Sequence, residues 1–293
     1  MRKRYVKRDN YDSAMKNMTL SNGFVIPVPG FGTYKTPDGE VCVNAVREAI
    51  AAGYIHIDTA ALYGNECSVG EGVRQSGKPR EELFITSKVW NTERGYDKTL
   101  RACEKTLKDL GMDYLDLYLI HWPANKLQFG DKADAINVDT WRAMERLSEE
   151  GVVRSIGLSN FYSSHMAPVL ASANIAPVVD QIEFHPGLLQ QDTIATCRAE
   201  GILVEAWSPL GRGKLLDNPV IAEIAGRHGK STAQVILRWV MQMDVLPLVK
   251  SIHAERIREN FDLFSFSLDE DEMTRISDIP EARFGSHPDT VEF

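Results

Sequence analysis

The stretch VCVNAVREAIAAGYIHIDTA, residues 41–60, contains a change from one kind of secondary structure to another. Its first part spaces apolar residues as an amphipathic helix does, and Gly53 stands where a helix commonly ends in a left-handed residue. Its second part, YIHIDTA (54–60), is a short β-branched run of the kind that forms a buried strand. The stretch therefore predicts a helix that leads directly into a strand.

The same alternation of a short strand and a longer helix repeats along the chain. Two other helical segments, DKTLRACEKTLKDLG (97–111) and TWRAMERLSEEG (140–151), also close on a glycine. Eight strand–helix units over roughly 230 residues fit an α/β protein of the closed (β/α)8 TIM barrel type, which usually needs about 250 residues. The predicted strands lie at residues 28–35, 54–60, 83–90, 115–122, 152–160, 177–186, 202–209 and 245–251.

The main competing α/β fold is an open, doubly wound sheet. That fold needs a glycine-rich turn, G-x-G-x-x-G, after an early strand, and the sequence has none at such a turn. The barrel is therefore the preferred prediction. The segment MTLSNGFVIP (18–27), with its Asn-Gly turn, predicts a hairpin that caps the N-terminal end of the barrel. SLDEDEMTRIS (267–277) predicts an extra helix, followed by an irregular C-terminal substrate loop.

Length and composition limit the kinds of protein that this chain can be. With 293 residues, 43% of them hydrophobic, it can bury a large core, and no linker divides it. We expect a basic, mobile N-terminal tail over residues 1–17 and a single barrel domain over residues 18–293. The tail lacks the apolar segment of a secretory signal, and nucleic-acid or membrane contact is its second interpretation.

Charge and cysteine usage indicate the setting in which the protein works. A net charge of −8 argues against nucleic acid as the main partner, because phosphate binding needs a basic face. No apolar run approaches the length of a membrane span. The four cysteines are scattered, which suits reduced thiols. We therefore expect a cytoplasmic protein, a monomer by default, without a nucleic-acid or membrane partner.

Chemically reactive side chains follow three consecutive predicted strands. The second strand delivers Asp58 and, in its loop, Tyr63, while the third delivers Lys88 and the fourth His121. In a (β/α)8 barrel the active site lies at the C-terminal ends of the strands, so we expect these groups to meet at one mouth. Each residue alone has an ordinary structural interpretation, as a turn cap (Asp58), a side chain that reaches the rim (Lys88), a loop-packing aromatic (Tyr63) or a core histidine (His121). Because four such roles would have to coincide, a shared chemical role is favoured.

Together these four groups can protonate an oxygen that gains negative charge. A phenol is a very weak acid near neutral pH unless its phenolate is stabilised, and a neighbouring ammonium does this. An aspartate paired with that lysine would keep it in place and charged, and a histidine can orient a carbonyl oxygen beside the phenol. The set predicts the general-acid half of a carbonyl reduction.

The sequence resembles the aldo-keto reductase family from about Thr19 to the C-terminus. HIDTAALYGNE, ITSKVWN and DLYLIHWP look like the motifs that carry the family's catalytic tetrad, which would be Asp58, Tyr63, Lys88 and His121. The motifs DTAALYGNE and LIHWP are most similar to those of the microbial 2,5-diketogluconate reductase and prostaglandin F synthase group. The resemblance implies reduction of aldehydes or ketones, small carbonyl compounds and keto-sugars among them. The implied substrate pocket is lined by Tyr34, Trp90, His121 and Trp122.

The resemblance also implies a cofactor site, and NADPH as the cofactor. GLSNF, VVDQIEFHP and EAWSPLGRG look like the segments that hold the nicotinamide and the pyrophosphate. The flat ring of Trp207 stands where many members have a tyrosine that stacks on the nicotinamide. The implied carboxamide contacts are Ser159, Asn160 and Gln181, and the implied pyrophosphate neighbours are Ser208, Leu210 and Gly211.

VKSIHAERIREN looks like the family's clamp for the adenosine phosphate. Two cations and a hydroxyl suit a dianionic 2′-phosphate, so NADPH is preferred over NADH, although Val249 stands where a proline is usual. The implied contacts are Lys250, Ser251 and Arg256 for the phosphate, and Glu259 and Asn260 for adenine.

Two other functions compete with this interpretation. In a metal-dependent hydrolase, His56 and Asp58 would share one face of a strand with His121 and His185 nearby. Against it, the first strand has no H-x-H pair and Lys88 would have no role, so we expect no metal and a His56 buried in the lumen. The second alternative is a regulatory barrel subunit that binds nucleotide and partner proteins without turnover.

Overall fold

The computed structural model describes residues 17–293 and shows a closed barrel of eight parallel strands. The last barrel strand pairs with the first, so no strand edge is left open. The predicted TIM barrel is confirmed, and each observed strand lies within its predicted range. The barrel strands β3–β10 are Gly30–Gly32, His56–Asp58, Phe84–Val89, Leu115–Ile120, Val153–Ser159, Val179–Glu183, Leu203–Trp207 and Leu246–Val249.

Helices surround the barrel. As predicted, the first one ends at Gly53, which adopts φ 113°, and the third at Gly111, with φ 64°. The predicted extra helix follows the barrel, where Asp269 and Glu272 form a capping box. The helices α1–α11 are Glu40–Ala52, Glu66–Gln75, Tyr96–Leu110, Lys126–Phe129, Ala133–Glu149, Ser163–Ser172, Gln191–Ala199, Pro219–His228, Thr232–Gln242, Ala254–Phe261 and Glu270–Ser277.

A short hairpin covers the N-terminal end of the barrel. Its strands, β1 (Asn17–Thr19) and β2 (Val25–Pro27), pair in antiparallel fashion. The Asn22 side chain in the turn donates to Ser155 Oγ at 3.0 Å, near the start of β7. The predicted cap is therefore confirmed. The expected tail lies outside the described residues except for Asn17, which belongs to the first strand.

The barrel interior is polar toward its C-terminal mouth. Alternate strand residues face the lumen, so His56 and Asp58 point inward while Ile57 between them packs under the helices. Asp58 and Lys88 are almost fully enclosed. Buried polar groups need hydrogen-bond partners, and these groups find them in one another. The fold thus directs a connected set of reactive side chains at the mouth.

Within the described part of the chain, no helix has both the length and the apolar character needed to cross a membrane.

Candidate active site

A fully buried ammonium group forms the centre of the site. Lys88 Nζ lies 2.7 and 2.8 Å from the two carboxylate oxygens of Asp58, 2.9 Å from the Thr59 carbonyl oxygen and 3.4 Å from the Tyr63 hydroxyl. Burial lowers the pKa of Lys88, but Asp58 and Tyr63 outweigh this effect, so the pKa lies above its usual value. The ammonium therefore stays charged. The structure brings Asp58, Lys88 and Tyr63 together as predicted.

The side-chain amide of Asn65 fixes the loop that carries Tyr63. After β4 the chain makes a 3-10 turn, Ala61–Tyr63, which ends at Gly64 with φ 67°. The buried Asn65 side chain accepts from Thr59 Oγ1 at 3.0 Å. It also donates to the carbonyl oxygens of Thr33 and Thr36. These bonds hold the phenol over the end of the strand.

The Tyr63 phenol keeps its proton across the neutral range. Burial raises the pKa of Tyr63 to about 12, and the nearby Lys88 ammonium opposes this effect without reversing it. The sequence predicts a cation beside the phenol, and the geometry contains one. The extent of burial was not readable from the sequence. The Tyr63 hydroxyl therefore carries a proton that it could donate.

The His121 imidazole lies beside the phenol and is neutral. Its ring centroid is 5.7 Å from that of Tyr63 in an edge-on arrangement. Burial, followed by the charges of Lys88 and Arg94, lowers the pKa of His121 well below its usual value. Its Nδ1 has no hydrogen-bond partner among residues 17–293. A neutral imidazole next to a protonated phenol can orient a carbonyl oxygen without competing for the proton.

The residues expected at the nicotinamide also come together. Trp207 Nε1 donates to Asn160 Oδ1 at 2.8 Å, and Asn160 Nδ2 donates to the His121 carbonyl oxygen at 2.9 Å. Ser159 Oγ donates to the backbone oxygen of Gln181 at 2.9 Å. Asn160 adopts φ 62°, a left-handed conformation that asparagine tolerates. The indole platform is thus linked through Asn160 to the backbone of His121.

The expected phosphate clamp lies away from the tetrad, after β10. Lys250 and Arg256 have no ion-pair partner among residues 17–293, whereas the neighbouring Arg258 pairs with Glu48 at 3.1 Å. Ser251 Oγ accepts from the His253 backbone N–H at 3.1 Å. Burial lowers the pKa of Lys250. Two unpaired cations and a hydroxyl fit a phosphate dianion. Of the remaining expected contacts, Ser208, Leu210 and Gly211 follow β9, the strand beside β10, and Glu259 and Asn260 are on α10.

Aromatic rings surround the mouth. Trp90 lies 5.1 Å from His121, and Trp122 lies 6.5 Å from Trp207, between ring centroids. Tyr34 lies 5.1 Å from Tyr63 and is 45% exposed. All the residues expected at the substrate pocket are therefore near the tetrad.

Sequence reasoning missed one aromatic residue of this pocket, Phe293. Its ring stacks on Trp90 at 5.5 Å and meets Trp122 edge-on at 5.3 Å. Its backbone oxygen accepts from Asn91 Nδ2 at 3.0 Å. The C-terminal segment has no periodicity, so only the aromatic character of Phe293 could have marked it.

The C-terminal segment is held against the barrel through its backbone. Asn125 Nδ2 donates to the carbonyl oxygens of Pro288 and Val291 at 2.9 and 2.7 Å. The buried Glu183 carboxylate accepts from the N–H groups of Phe284 and Gly285, each at 2.9 Å. Two buried side chains of the barrel therefore set the path of the segment that borders the pocket.

Sequence reasoning also missed Glu205, which lies on β9 and shares a hydrogen-bond donor with Asp58. Gln181 Nε2 donates to Asp58 Oδ2 and to Glu205 Oε2, each at 2.9 Å. The signal was a single charged residue in the otherwise apolar strand ILVEAWSP (202–209). Such a residue has the same appearance in a sequence whether it faces the lumen or solvent.

His56 occupies the lumen as predicted. It is fully buried, and its ring nitrogens contact the Pro27 carbonyl oxygen at 3.3 Å and Thr86 Oγ1 at 3.1 Å. Burial lowers the pKa of His56 to about 3, so the ring is neutral. In the part of the chain that the structure describes, no three His, Cys, Asp or Glu side chains are arranged to hold a metal ion.

Comparison with known proteins gives matches over nearly the whole chain. A profile described as "Aldo/keto reductase family" matches residues 30–281. Glyoxal reductase of Bacillus subtilis is 48% identical over 282 residues, covering 96% of this chain and 99% of that protein. The 9,11-endoperoxide prostaglandin H2 reductase of Trypanosoma cruzi is 47% identical and covers 93% of this chain and 94% of its own. A crystal structure of a Gox0644 mutant in complex with NADPH superposes with a TM-score of 0.87 at 38% identity, covering 94% and 98% of the two chains.

Proposed function

The chain belongs to the aldo/keto reductase family and is an NADP-dependent oxidoreductase, and on that premise we propose that it reduces small aldehydes and ketones with Tyr63 as the proton donor. The observation that carries the proposal is the buried ammonium of Lys88, which contacts both Asp58 and the Tyr63 hydroxyl at the barrel mouth.

Each member of the tetrad has a separate task in this reaction. Tyr63 donates its proton to the carbonyl oxygen of the substrate, and the ammonium of Lys88 stabilises the phenolate that is left. Asp58 keeps that ammonium charged in a site where burial favours the neutral amine. The neutral imidazole of His121 holds the carbonyl oxygen next to the phenol. Bound NADPH supplies the hydride to the carbonyl carbon.

The residues around the tetrad suit NADPH in their chemistry. Trp207 offers a flat face for the nicotinamide ring, and Ser159, Asn160 and Gln181 offer polar groups beside it. At the other end, Lys250 and Arg256 are unpaired among the described residues and would neutralise a 2′-phosphate. The proposed neighbours of the rest of the cofactor are Ser208, Leu210, Gly211, Ser251, Glu259 and Asn260.

The proposed substrates are small or flat carbonyl compounds, keto-sugars among them. Tyr34, Trp90, Trp122 and Phe293 form an aromatic wall at the mouth, which gives apolar faces and few directed polar contacts. Two relatives, a glyoxal reductase and a prostaglandin endoperoxide reductase, act by name on quite different compounds, which supports a broad range of oxygenated substrates.

A cofactor-oxidation assay against a panel of aldehydes, ketones and keto-sugars tests the proposal. We expect steady NADPH consumption with several small aldehydes, and little with Tyr63→Phe at equal occupancy of NADPH. A protein that binds NADPH but oxidises it with no member of the panel would instead be a nucleotide-binding regulatory barrel.

A further inference from the structure

A carboxyl group deep in the barrel has no part in the mechanism described so far. The side chain of Glu205 is completely buried, and its Oε2 accepts from Gln181 Nε2 at 2.9 Å. Its other oxygen, Oε1, has no hydrogen-bond partner among residues 17–293. The nearest basic atom is Nε2 of the neutral His56, 3.8 Å away. A buried carboxyl group in so poor a polar setting is costly, which calls for a reason.

The amide nitrogen of Gln181 is used up inside the lumen. Its two N–H groups go to Glu205 Oε2 and Asp58 Oδ2, and the opposite orientation would place the amide oxygen against the Asp58 carboxylate, which can only accept. No described protein group donates to the Gln181 amide oxygen. That oxygen is the atom left to meet a ligand, and it is a hydrogen-bond acceptor.

From this geometry we propose that Glu205 is a positioning residue, which holds the Gln181 amide so that its oxygen accepts from the N–H group of the nicotinamide carboxamide. The inference rests on the proposed function, in which Gln181 contacts that carboxamide. Asp58 alone does not suffice, because it accepts only one of the two N–H groups of Gln181, and the other goes to Glu205. Without Glu205, the second N–H of Gln181 loses its partner in a closed lumen, and the flexible side chain turns to recover one.

The charge balance in the lumen supports a neutral Glu205. Asp58 and Lys88 cancel each other, and His56 is uncharged, so an ionised Glu205 would add an uncompensated negative charge. Burial, and then the charge of Asp58, raise the pKa of Glu205 to about 8. The acceptor that Gln181 needs is therefore supplied by an uncharged carboxyl group near neutral pH. A glutamine at position 205 would supply the same acceptor.

A cofactor analogue that lacks the carboxamide N–H provides the test. In 3-acetylpyridine adenine dinucleotide phosphate, an acetyl group replaces the carboxamide, so the proposed bond to Gln181 is missing. We expect the native protein to bind NADP+ at least fivefold more tightly than this analogue by fluorescence titration. Glu205→Leu and the smaller Glu205→Val should lose most of that preference, whereas Glu205→Gln should keep it.

Matched controls separate positioning from general damage. Thr86→Val removes another lumen polar group, one that bonds His56 and not Gln181, and should leave the preference unchanged. Binding of 2′-phospho-ADP-ribose, which has no nicotinamide, should be equal in all variants. If Glu205→Leu or Glu205→Val keeps the full preference while Gln181→Leu loses it, the positioning role is refuted. If Gln181→Leu also keeps it, the assignment of Gln181 in the proposed function fails instead.

Discussion

Replacing Asp58 by asparagine should destabilise the protein by an amount that shrinks as pH rises. The change leaves the fully buried Lys88 ammonium with uncharged acceptors only, among them the Thr59 carbonyl oxygen and the Tyr63 hydroxyl. Breaking a buried ion pair in this way typically costs about 3–5 kcal/mol. The lysine can avoid part of that cost by losing its proton.

The free-energy cost of deprotonating Lys88 sets an upper limit on the stability that the buried charge removes from Asp58→Asn. At pH 7, a lysine with an ordinary pKa of roughly 10.4 is about 3.4 pH units below that pKa, so removing its proton costs about 4.6 kcal/mol. Once the folded state holds neutral Lys88, it binds fewer protons than the unfolded state, so stability rises with pH. The limit falls by about 1.4 kcal/mol per pH unit and reaches about 1.9 kcal/mol at pH 9.

Denaturant unfolding of Asp58→Asn and of the double variant Asp58→Asn, Lys88→Met measures this effect. Both variants lack the Asp58 charge, so the difference between them reports the Lys88 charge together with its effect on the pKa of Glu205. We expect the double variant to be more stable by about 3–4 kcal/mol at pH 7, with the difference narrowing toward pH 9 as folded Lys88 loses its proton, by at most about 1.4 kcal/mol per pH unit. Neither variant should reduce carbonyls at the native rate. Equal stabilities at pH 7, or a difference that does not depend on pH, would show that Lys88 is not a buried cation.

Three further outcomes are expected from the same structure. Tyr63→Phe should lower carbonyl reduction by about 10²–10⁴-fold with NADPH binding unchanged, and because burial raises the pKa of Tyr63 to about 12, native reduction should show no loss of this proton below pH 10 in a pH–rate profile. Arg256→Ala should weaken NADPH binding by about 1–3 kcal/mol and NADH binding much less, and equal losses in a titration would mean that the clamp is misassigned. Glu205→Gln should remove a pH dependence of the free energy of unfolding. Because the pKa of Glu205 is raised to about 8, this group favours the folded state most below pH 4.5, and the native protein should lose on the order of 4–5 kcal/mol of stability as pH rises to 8. Identical pH profiles of unfolding for the two proteins would contradict that assignment.

The sequence allowed the strands and the tetrad to be predicted because both depend on local pattern. Short β-branched runs followed by helical segments mark the strands, and residues at the end of a barrel strand are at the mouth by topology, which places Asp58, Lys88 and His121 without any knowledge of packing. Glu205 was missed because a lone charged residue in a strand does not show which way it faces, and its bond to Gln181 depends on side-chain packing in the lumen. Phe293 was missed because the segment around it has neither helical nor strand periodicity. The high pKa of Tyr63 depends on enclosure by residues from several elements, which no single segment reveals.

The backbone anchoring of residues 282–293 has a consequence for how new substrate ranges arise in this protein. That segment is held at its main-chain atoms by the Asn125 amide, the Glu183 carboxylate and the Asn91 amide. Every amino acid has the main-chain carbonyl oxygen, and every amino acid except proline has the N–H group, so these contacts do not depend on the side chains of the segment. Most side chains there can therefore be exchanged while the path of the segment is kept. The exceptions are Gly285, where a Cβ would meet Trp207, and Arg283 and Asp289, which pair with Glu183 and His165. The proton-transfer groups lie inside the barrel and share none of these anchors. Mutation can thus reshape the entrance in many single steps, each starting from a working catalyst, which makes this segment the natural place for a library in directed evolution.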